Sequence, residues 1–192
     1  MIKTENFAQV VVASADELRA WLREHHAQEE SVWLVTYKKQ VLDKYVSVQE
    51  VLDELLCFGW IDGIRRKLND RQTMQLIAPR RAQHWAKTYK DRAAKLIAED
   101  RMHPSGLAAI ERSKTNGMWS FMDDVDARII PEDFGEALDQ RPPARESFTA
   151  FAPSTQRFIL RWIKLAKTEA TRKRRIEKAA MLAQQGKKIP GS

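Results

Sequence analysis

Aromatic, acidic and basic side chains are concentrated in one short stretch in the first half of this 192-residue chain. Trp60 and Asp62 come directly after Gly59, where the chain is expected to change direction. An indole can stack on a flat ligand, and a carboxylate can orient a cation or accept a hydrogen bond. The alternative is structural: Trp60 belongs to the core, and Asp62 pairs with Arg65, Arg80 or a backbone amide to fix the turn.

Basic side chains alternate with aromatic ones over this stretch and on either side of it. Arginine and lysine bind phosphate and carboxylate groups, and flat rings stack on bases or sugars. The pattern therefore favours recognition of an anionic ligand, although a solvated cationic face would produce a similar sequence. The candidate ligand-binding residues are Lys39, Trp60, Asp62, Arg65, Arg66, Arg80, Arg81, Trp85 and Lys87.

Sequence signatures of catalysis, metal binding and cofactor binding are missing. Asp62, without a second acid, a base or a metal ligand nearby, does not specify a reaction. His25 and His26 are adjacent, hence on different faces of a helix, and no second ligand set stands at metal-binding spacing. Cys57 lies in an apolar run, as a buried core residue would, and no glycine-rich phosphate loop occurs. We therefore expect no metal and no cofactor, and catalytic residues stay unassigned.

Two functions remain open at this level. The first, which we favour, is a non-enzymatic stress-protection or binding module that recognises nucleic acid or another anionic ligand through basic and aromatic surface. The second is a small-molecule enzyme with its pocket around Trp60, Asp62, Arg80 and Trp85. Stepwise neutralisation of cations should weaken a binding surface gradually, whereas Asp62→Asn or Arg80→Ala should abolish the activity of a catalytic pocket.

Positive charge is concentrated in two zones of a chain whose formal net charge is +7. Residues 161–192 hold ten Lys or Arg against two acids, and residues 60–95 hold ten against three. Such zones attract polyanions whatever the fold. We expect the site in the zone at 60–95, because side chains on or beside strands are fixed before a ligand arrives, whereas a terminal helix is expected to be mobile.

Helix starts are unusually clear in this sequence. Ser14 and Ser47 each stand three residues before a glutamate, which is the pattern of a capping box. Apolar residues recur at helical spacing after both serines, and Gly59 suits the position just past the second helix. Ser154 and Thr168 are the predicted caps of the last two helices.

Runs rich in β-branched and aromatic residues predict strands at 10–12, 32–37 and 73–77. A fourth strand is predicted at 60–68, joined to the next through Asn69 and Asp70 in a hairpin. We therefore expect an α+β fold with a small, partly antiparallel sheet of three or four strands packed by helices, and more than half of the chain helical.

The chain is expected to contain an α+β domain over residues 1–120. A small helical region over residues 121–192 ends in a basic helix and could pack with it as one unit. The first residues lack the basic-then-apolar build of a signal peptide, and no uncharged run is long enough to span a bilayer. These features, with a single cysteine, predict a cytoplasmic protein and leave its oligomeric state open.

Several ordered segments together resemble the YdeI/OmpD-associated family, whose members are also named bacteriocin-protection proteins. The matching segments, spread over almost the whole chain, are Ser31–Lys39, Cys57–Gly63, Pro79–Arg81, Arg101–Leu107, Phe151–Ser154, Trp162–Ile163, Ala166–Lys167 and Thr171–Ile176. So many ordered matches are more specific than any single motif. The resemblance implies protection against bacteriocins or cationic peptides, through association with an outer-membrane porin.

One element departs from the pattern of the family. Relatives tend to carry Ser-x-Trp-Ser-Lys followed by Asn, where this chain has Gln83-His84-Trp85-Ala86-Lys87 and then Thr88-Tyr89. Two hydroxyl groups and an amide are therefore missing here. If that element binds a ligand in relatives, binding is altered in this chain.

Overall fold

The computed structural model describes residues 7–191. Helices make up 51% of the structure and strands 14%, which confirms the predicted α+β class. The chain forms two compact units, of which the first ends at Ser120 and the second begins at Phe121. Each unit has a hydrophobic core of its own.

The first unit is built on a mixed sheet, which has four strands within the described residues. The strands are β1 (Gln9–Val11), β2 (Val32–Tyr37), β3 (Trp60–Lys67) and β4 (Gln72–Pro79). Their order is β1-β2-β4-β3, with β1 parallel to β2 and the other pairs antiparallel. The predicted β3–β4 hairpin is confirmed, and the Asn69 side chain closes its turn by accepting from the N–H groups of Arg71 and Gln72.

The longer helices of this unit are α1 (Ala15–His25), α2 (Val48–Cys57), α3 (Lys87–Ala98) and α4 (Pro104–Thr115). Ser47 forms the complete capping box that the sequence predicts. Ser14 accepts from the N–H of Glu17, but the Glu17 carboxylate accepts from Ala13 instead of the cap residue. Gly59 follows α2 with a φ of +75°, a conformation that glycine adopts without strain.

The helices cover the face of the sheet that carries Leu34 and Ile77, both fully buried. Leu18 and Leu22 of α1, Leu55 and Leu56 of α2, and Ala93 and Leu96 of α3 fill this core together with Trp60 and Trp85. The buried Glu54 is satisfied by Arg19 and Arg101, each 2.7 Å from one of its carboxylate oxygens. This pairing joins α1, α2 and the segment before α4.

Helix α4 crosses the end of α2 at very close range, and a glycine makes this possible. A Cβ added at Gly106 would lie only 2.2 Å from the carbonyl oxygen of Cys57. The N–H of His103 also donates to that carbonyl, at 3.0 Å. The start of α4 is therefore fixed against the end of α2, next to the first residues of β3.

The second unit is helical throughout its regular structure. Its helices are α5 (Asp123–Asp126), α6 (Glu132–Asp139), α7 (Ala144–Ala150), α8 (Pro153–Lys164) and α9 (Glu169–Gln184). Ile176, Ala179, Ala180 and Ala183 bury one side of α9 in this core. The terminal basic helix, expected to be mobile, is thus part of a packed core.

The two predicted caps in the second unit have opposite outcomes. Thr168 is the N-cap of α9 and accepts from the N–H of Thr171. The prediction for Ser154 was wrong: α8 begins one residue earlier at Pro153, and its N-cap Ala152 has no side-chain acceptor to offer. Proline suits the first helical position because its missing N–H would have no partner there. None of the helices in the part of the chain that the structure describes has the length and apolar character to cross a membrane.

Candidate functional site

Arg80 is the most unusual side chain of the first unit. It follows β4 directly, and its backbone N–H donates to the carbonyl of Gly59 at 2.8 Å. Only 5% of the residue is exposed. Its guanidinium carbon lies 4.1 Å from the ring centroid of Trp85 and 5.6 Å from that of Tyr89. The positive charge is thus held against two aromatic faces inside the fold.

The charge of Arg80 has almost no hydrogen-bond compensation. Nη1 makes only long contacts, of 3.4 and 3.5 Å, to the carbonyls of Gln83 and His84, and Nε is buried with no acceptor. Among residues 7–191, no carboxylate forms a salt bridge with it. Burial lowers the pKa of Arg80 to about 10, although Tyr89 and Asp62 favour the charged form. The side chain is therefore still a cation at neutral pH, and a donor on it lacks a partner.

Arg80 lines an open cleft of about 540 Å³, named here the Arg80 cleft. Its walls come from the segment after α1, the end of α2, the end of β4 and one side of α4. The lining residues are His26, Ala27, Gln28, Glu29, Phe58, Gly59, Pro79, Arg80, Arg81, Ser105 and Arg112.

Two further arginines make the Arg80 cleft strongly positive. Arg81 is exposed, and its Nη2 lies 3.7 Å from the Glu29 carboxylate and 3.1 Å from the Glu29 carbonyl oxygen. Arg112 projects from α4 and is exposed, and its side chain makes no hydrogen bond or ion pair within the described residues. Three arginines against one glutamate leave a formal charge of +2. The cleft is therefore suited to an anion.

A serine and a histidine form the start of α4 beside this cleft. The Ser105 hydroxyl donates to the carbonyl of Phe58 at 3.0 Å and lies 2.8 Å from Nδ1 of His103. The Ser105 N–H also points to that nitrogen, at 3.3 Å. Burial lowers the pKa of His103, and the nearby His26, Arg19 and Arg23 act in the same direction. These contacts cap α4 and hold it against α2.

A chain of hydrogen bonds lies beneath the sheet next to Arg80. The Tyr89 hydroxyl donates to Oδ1 of Asp62 at 2.5 Å, and Nε2 of Gln75 donates to Oδ2 at 3.2 Å. Arg65 in turn donates to Oε1 of Gln75 at 2.8 Å. Burial, reinforced by the bond to Asp62, raises the pKa of Tyr89 to about 12. Both oxygens of Asp62 are engaged, so this carboxylate acts as an acceptor that orders its neighbours.

The structure places the nine predicted ligand-binding residues in several environments. Arg80 and Arg81 line the cleft together. Asp62 and Arg65 belong to the hydrogen-bonded chain and do not line it. Trp60 and Trp85 are each 1% exposed and lie in the core, so neither indole face is open to solvent.

The other three predicted residues lie elsewhere in the first unit. Lys39 follows β2 at the hairpin end of the sheet, roughly 25 Å from Arg80 because the length of β4 lies between them. Arg66 packs over Trp33, 5.5 Å from its ring centroid. Lys87 pairs with Asp91 on the exposed side of α3. The predicted basic and aromatic surface is therefore divided rather than continuous.

Of the cleft residues, sequence reasoning predicted only Arg80 and Arg81; the polar ones it missed include His26, Ser105 and Arg112. They come from the end of α1 and from α4, which are far from Arg80 in sequence. No local pattern marks His26 or Arg112 as ligand-binding. Ser105 lies in a segment that the family resemblance includes, but its position beside Arg80 depends on how α4 packs.

Cys57 is buried, and the described residues contain no cluster arranged to hold a metal ion. Cys57 is fully buried, and burial, with the nearby Glu54 charge, raises the pKa of its thiol, which makes it a poor nucleophile. Within residues 7–191 no group of three His, Cys, Asp or Glu side chains is arranged to hold a metal ion.

Two family models match the chain. Residues 10–109 match a family described as a domain of unknown function (DUF8412), and this range contains every lining residue of the Arg80 cleft except Arg112. Residues 127–186 match the family described as Bacteriocin-protection, YdeI or OmpD-Associated. The predicted resemblance is thus confirmed over residues 127–186, a narrower range than the sequence segments indicated. The chain matched no curated protein and no solved structure.

Proposed function

The chain belongs to the family of unknown function whose model covers residues 10–109, and we propose that this part of it binds an anionic ligand in the Arg80 cleft. The proposed function is that of a binding module rather than of an enzyme. The observation that carries the proposal is the buried, unpaired charge of Arg80 at the wall of an open cleft.

An anion in the cleft would supply the negative partner that the Arg80 side chain lacks within the described residues. A buried donor without an acceptor costs about 1–3 kcal/mol, and more when it is charged. A ligand oxygen at the part of the Arg80 guanidinium that lines the cleft would accept a charge-assisted hydrogen bond. Arg81 and Arg112, both exposed, would attract the ligand from solution and contact its outer part.

The surrounding groups favour binding over catalysis. Asp62, which lies beside the cleft without lining it, already accepts two hydrogen bonds. Ser105 donates to a backbone carbonyl and caps a helix. General acid–base catalysis requires groups free to exchange a proton with the substrate, and these two are committed to the fold.

Any role in bacteriocin protection is proposed for the second unit, because the family description that names it covers residues 127–186. The Arg80 cleft lies in the first unit. A cytoplasmic location stays a prediction, which cell fractionation would test.

The test is isothermal titration of the intact protein against a panel of anionic metabolites and a single-stranded oligonucleotide at low salt. Arg112→Gln removes one cleft charge from an exposed side chain and should lower the affinity about ten-fold, the equivalent of one charge-assisted hydrogen bond. The matched control is Arg71→Gln, in the hairpin turn at the far end of β4. The proposal fails if no anion binds, or if the control weakens binding as much as Arg112→Gln does.

A further inference from the structure

We infer that the ligand of the Arg80 cleft is a small organic phosphate monoester, bound as the dianion by Arg80, Arg81 and Arg112. This inference rests on the proposed function and makes it specific. Its basis is the charge, the donors and the walls of the cleft.

The charge of the cleft matches a doubly negative group. Its three arginines and Glu29 leave a formal charge of +2, and the Glu29 carboxylate pairs with Arg81, which is exposed. A phosphate monoester carries about −1.5 to −2 at neutral pH, because its second pKa is about 6. A sulfate ester or a single carboxylate carries one negative charge and would leave one cation uncompensated.

The donors also suit a phosphate group. A phosphate monoester has three terminal oxygens, whereas a carboxylate has two and an internal phosphodiester of nucleic acid has two. Arginine presents a planar fork of N–H groups that matches such oxygens, and three forks line this cleft. Arg80 is only 5% exposed and has no carboxylate partner among the described residues, so it is the least solvated of the three.

The walls provide room and contact for an organic part. The volume of about 540 Å³ is several times what a phosphate group alone needs and lies within the usual range for small-molecule sites. Ala27 and Pro79 contribute apolar surface to it. A ligand with a ring or carbon chain next to its phosphate would use both kinds of surface.

The experiment compares four probes that differ in one property at a time: phenyl phosphate, phenyl sulfate, benzoate and inorganic phosphate. Affinities for the intact protein are measured by titration calorimetry at pH 7.5 and at pH 5. Phenyl sulfate keeps a single charge over this range, so its affinity reports any change in the charge of the protein itself.

At pH 7.5 phenyl phosphate should bind at least ten-fold tighter than phenyl sulfate or benzoate. It should also bind tighter than inorganic phosphate, because of the apolar wall. The ratio of phenyl phosphate to phenyl sulfate affinity should fall several-fold at pH 5, where the phosphate dianion takes up a proton and becomes a monoanion. Arg112→Gln should reduce this ratio at pH 7.5, and Arg71→Gln should leave it unchanged.

Equal affinities for phenyl phosphate, phenyl sulfate and benzoate would overturn the inference and leave a general anion site, so the proposed function would stand. Inorganic phosphate binding as tightly as the ester would overturn the assignment to an organic ester. If the oligonucleotide binds and the four small probes do not, the cleft is not a phosphate monoester site. If no anion binds at all, the proposed function fails as well.

Discussion

At the residue scale, the first unit buries two charged side chains, Glu54 and Arg80, and it neutralises only the first. Glu54 lies between two arginines, each 2.7 Å away, so its charge is neutralised within the fold. Arg80 has two aromatic rings, two long carbonyl contacts and no carboxylate partner among the residues described. A buried ion that the fold leaves unpaired costs stability. A functional role for Arg80 would explain why the chain carries such a residue.

The variant Arg80→Met separates a ligand-binding role of Arg80 from a structural one. Methionine fills similar space without a charge, and it removes the cost of burying a charge that has no ionic partner. We expect the free energy of unfolding, from urea denaturation, to stay within about 1 kcal/mol of the wild type, while anion binding is abolished. As a control, Arg101→Met leaves Glu54 with one partner and should cost about 2 kcal/mol. A loss from Arg80→Met as large as that would indicate a structural residue.

Tyr89 gives a pH-dependent signal from the same region. Its pKa is raised from 10.0 to about 12 by burial and by the hydrogen bond to Asp62. The absorbance titration of the wild type minus that of Tyr89→Phe should therefore show a tyrosine that ionises near pH 12. Because the folded pKa is the higher one, the stability that this proton contributes is complete below pH 10 and is lost as the pH rises towards 12.

Unfolding measurements provide the second check on Tyr89. The stability difference between wild type and Tyr89→Phe should be largest at pH 8 and should shrink at pH 11. A difference spectrum that ionises near pH 10 would show that the hydroxyl is not held by Asp62 as described.

At the element scale, an irregularity in β3 organises the polar chain beneath the sheet. Asp62 is opposite Ile77 and Arg65 is opposite Gln75, so β3 has one residue more than β4 over this interval. In a regular strand, residues three apart point to opposite faces. The bulge brings Asp62 and Arg65 to the same face, where both bond to Gln75.

The close packing of α4 on α2 predicts an unusual effect of alanine. Within a helix, glycine to alanine normally stabilises by up to about 1 kcal/mol. Gly106→Ala should instead destabilise by about 2–3 kcal/mol, because the new Cβ would meet a backbone carbonyl that cannot move freely. Gly135→Ala in α6 is the matched control: its Cβ would meet the flexible end of Arg145, so little change is expected. Thermal denaturation of both variants distinguishes the two outcomes.

Helix α3 lacks the side-chain N-cap that α1, α2, α4 and α9 have. Its N-cap Ala86 is extended, with φ −81° and ψ 154°, and offers no side-chain acceptor. Ala86→Ser should stabilise the protein by about 1 kcal/mol, and Ser47→Ala, which removes a complete capping box, should destabilise it by a similar amount. Equal and opposite shifts in the urea midpoint would support the description of both caps; no gain from Ala86→Ser would contradict it for α3.

At the scale of the whole molecule, the two hydrophobic cores share no residue. One is formed by residues between Val12 and Ile110, and the other by residues between Met122 and Ile189. Removing only the basic tail from residue 168 would delete Ile176, Ala179, Ala180 and Ala183 from the second core. A tail truncation would therefore test folding of that unit as much as ligand binding.

A chain that ends at Ser120 is the better truncation. Because the first unit has its own core and contains all the lining residues of the Arg80 cleft, this fragment should unfold cooperatively and bind the same anions with unchanged affinity. Circular dichroism and calorimetry test the two parts of this prediction. A folded fragment that has lost binding would show that the cleft alone is not the site.

The sequence by itself determined the elements of this protein. The cap at Ser47, the glycine after α2, the hairpin at Asn69 and the strand at 32–37 were all predictable, because each depends on residues within a few positions along the chain. The α+β class followed from the order of these elements. The resemblance to the YdeI/OmpD-associated family, confirmed over residues 127–186, was also recognisable from the sequence.

Only the tertiary structure decided which charged and aromatic residues meet. The residue type of Trp60 and Trp85 does not tell whether they lie in the core or on the surface. The packing of α1 to α4 placed both in the core. Arg80 is buried while its neighbour Arg81 is exposed, a difference that no local pattern encodes. Arg112 reaches the cleft because Gly106 lets α4 approach α2. Burial and long-range proximity depend on how elements pack together, whereas caps and turns depend on near neighbours, which is why the elements could be predicted and the cleft could not.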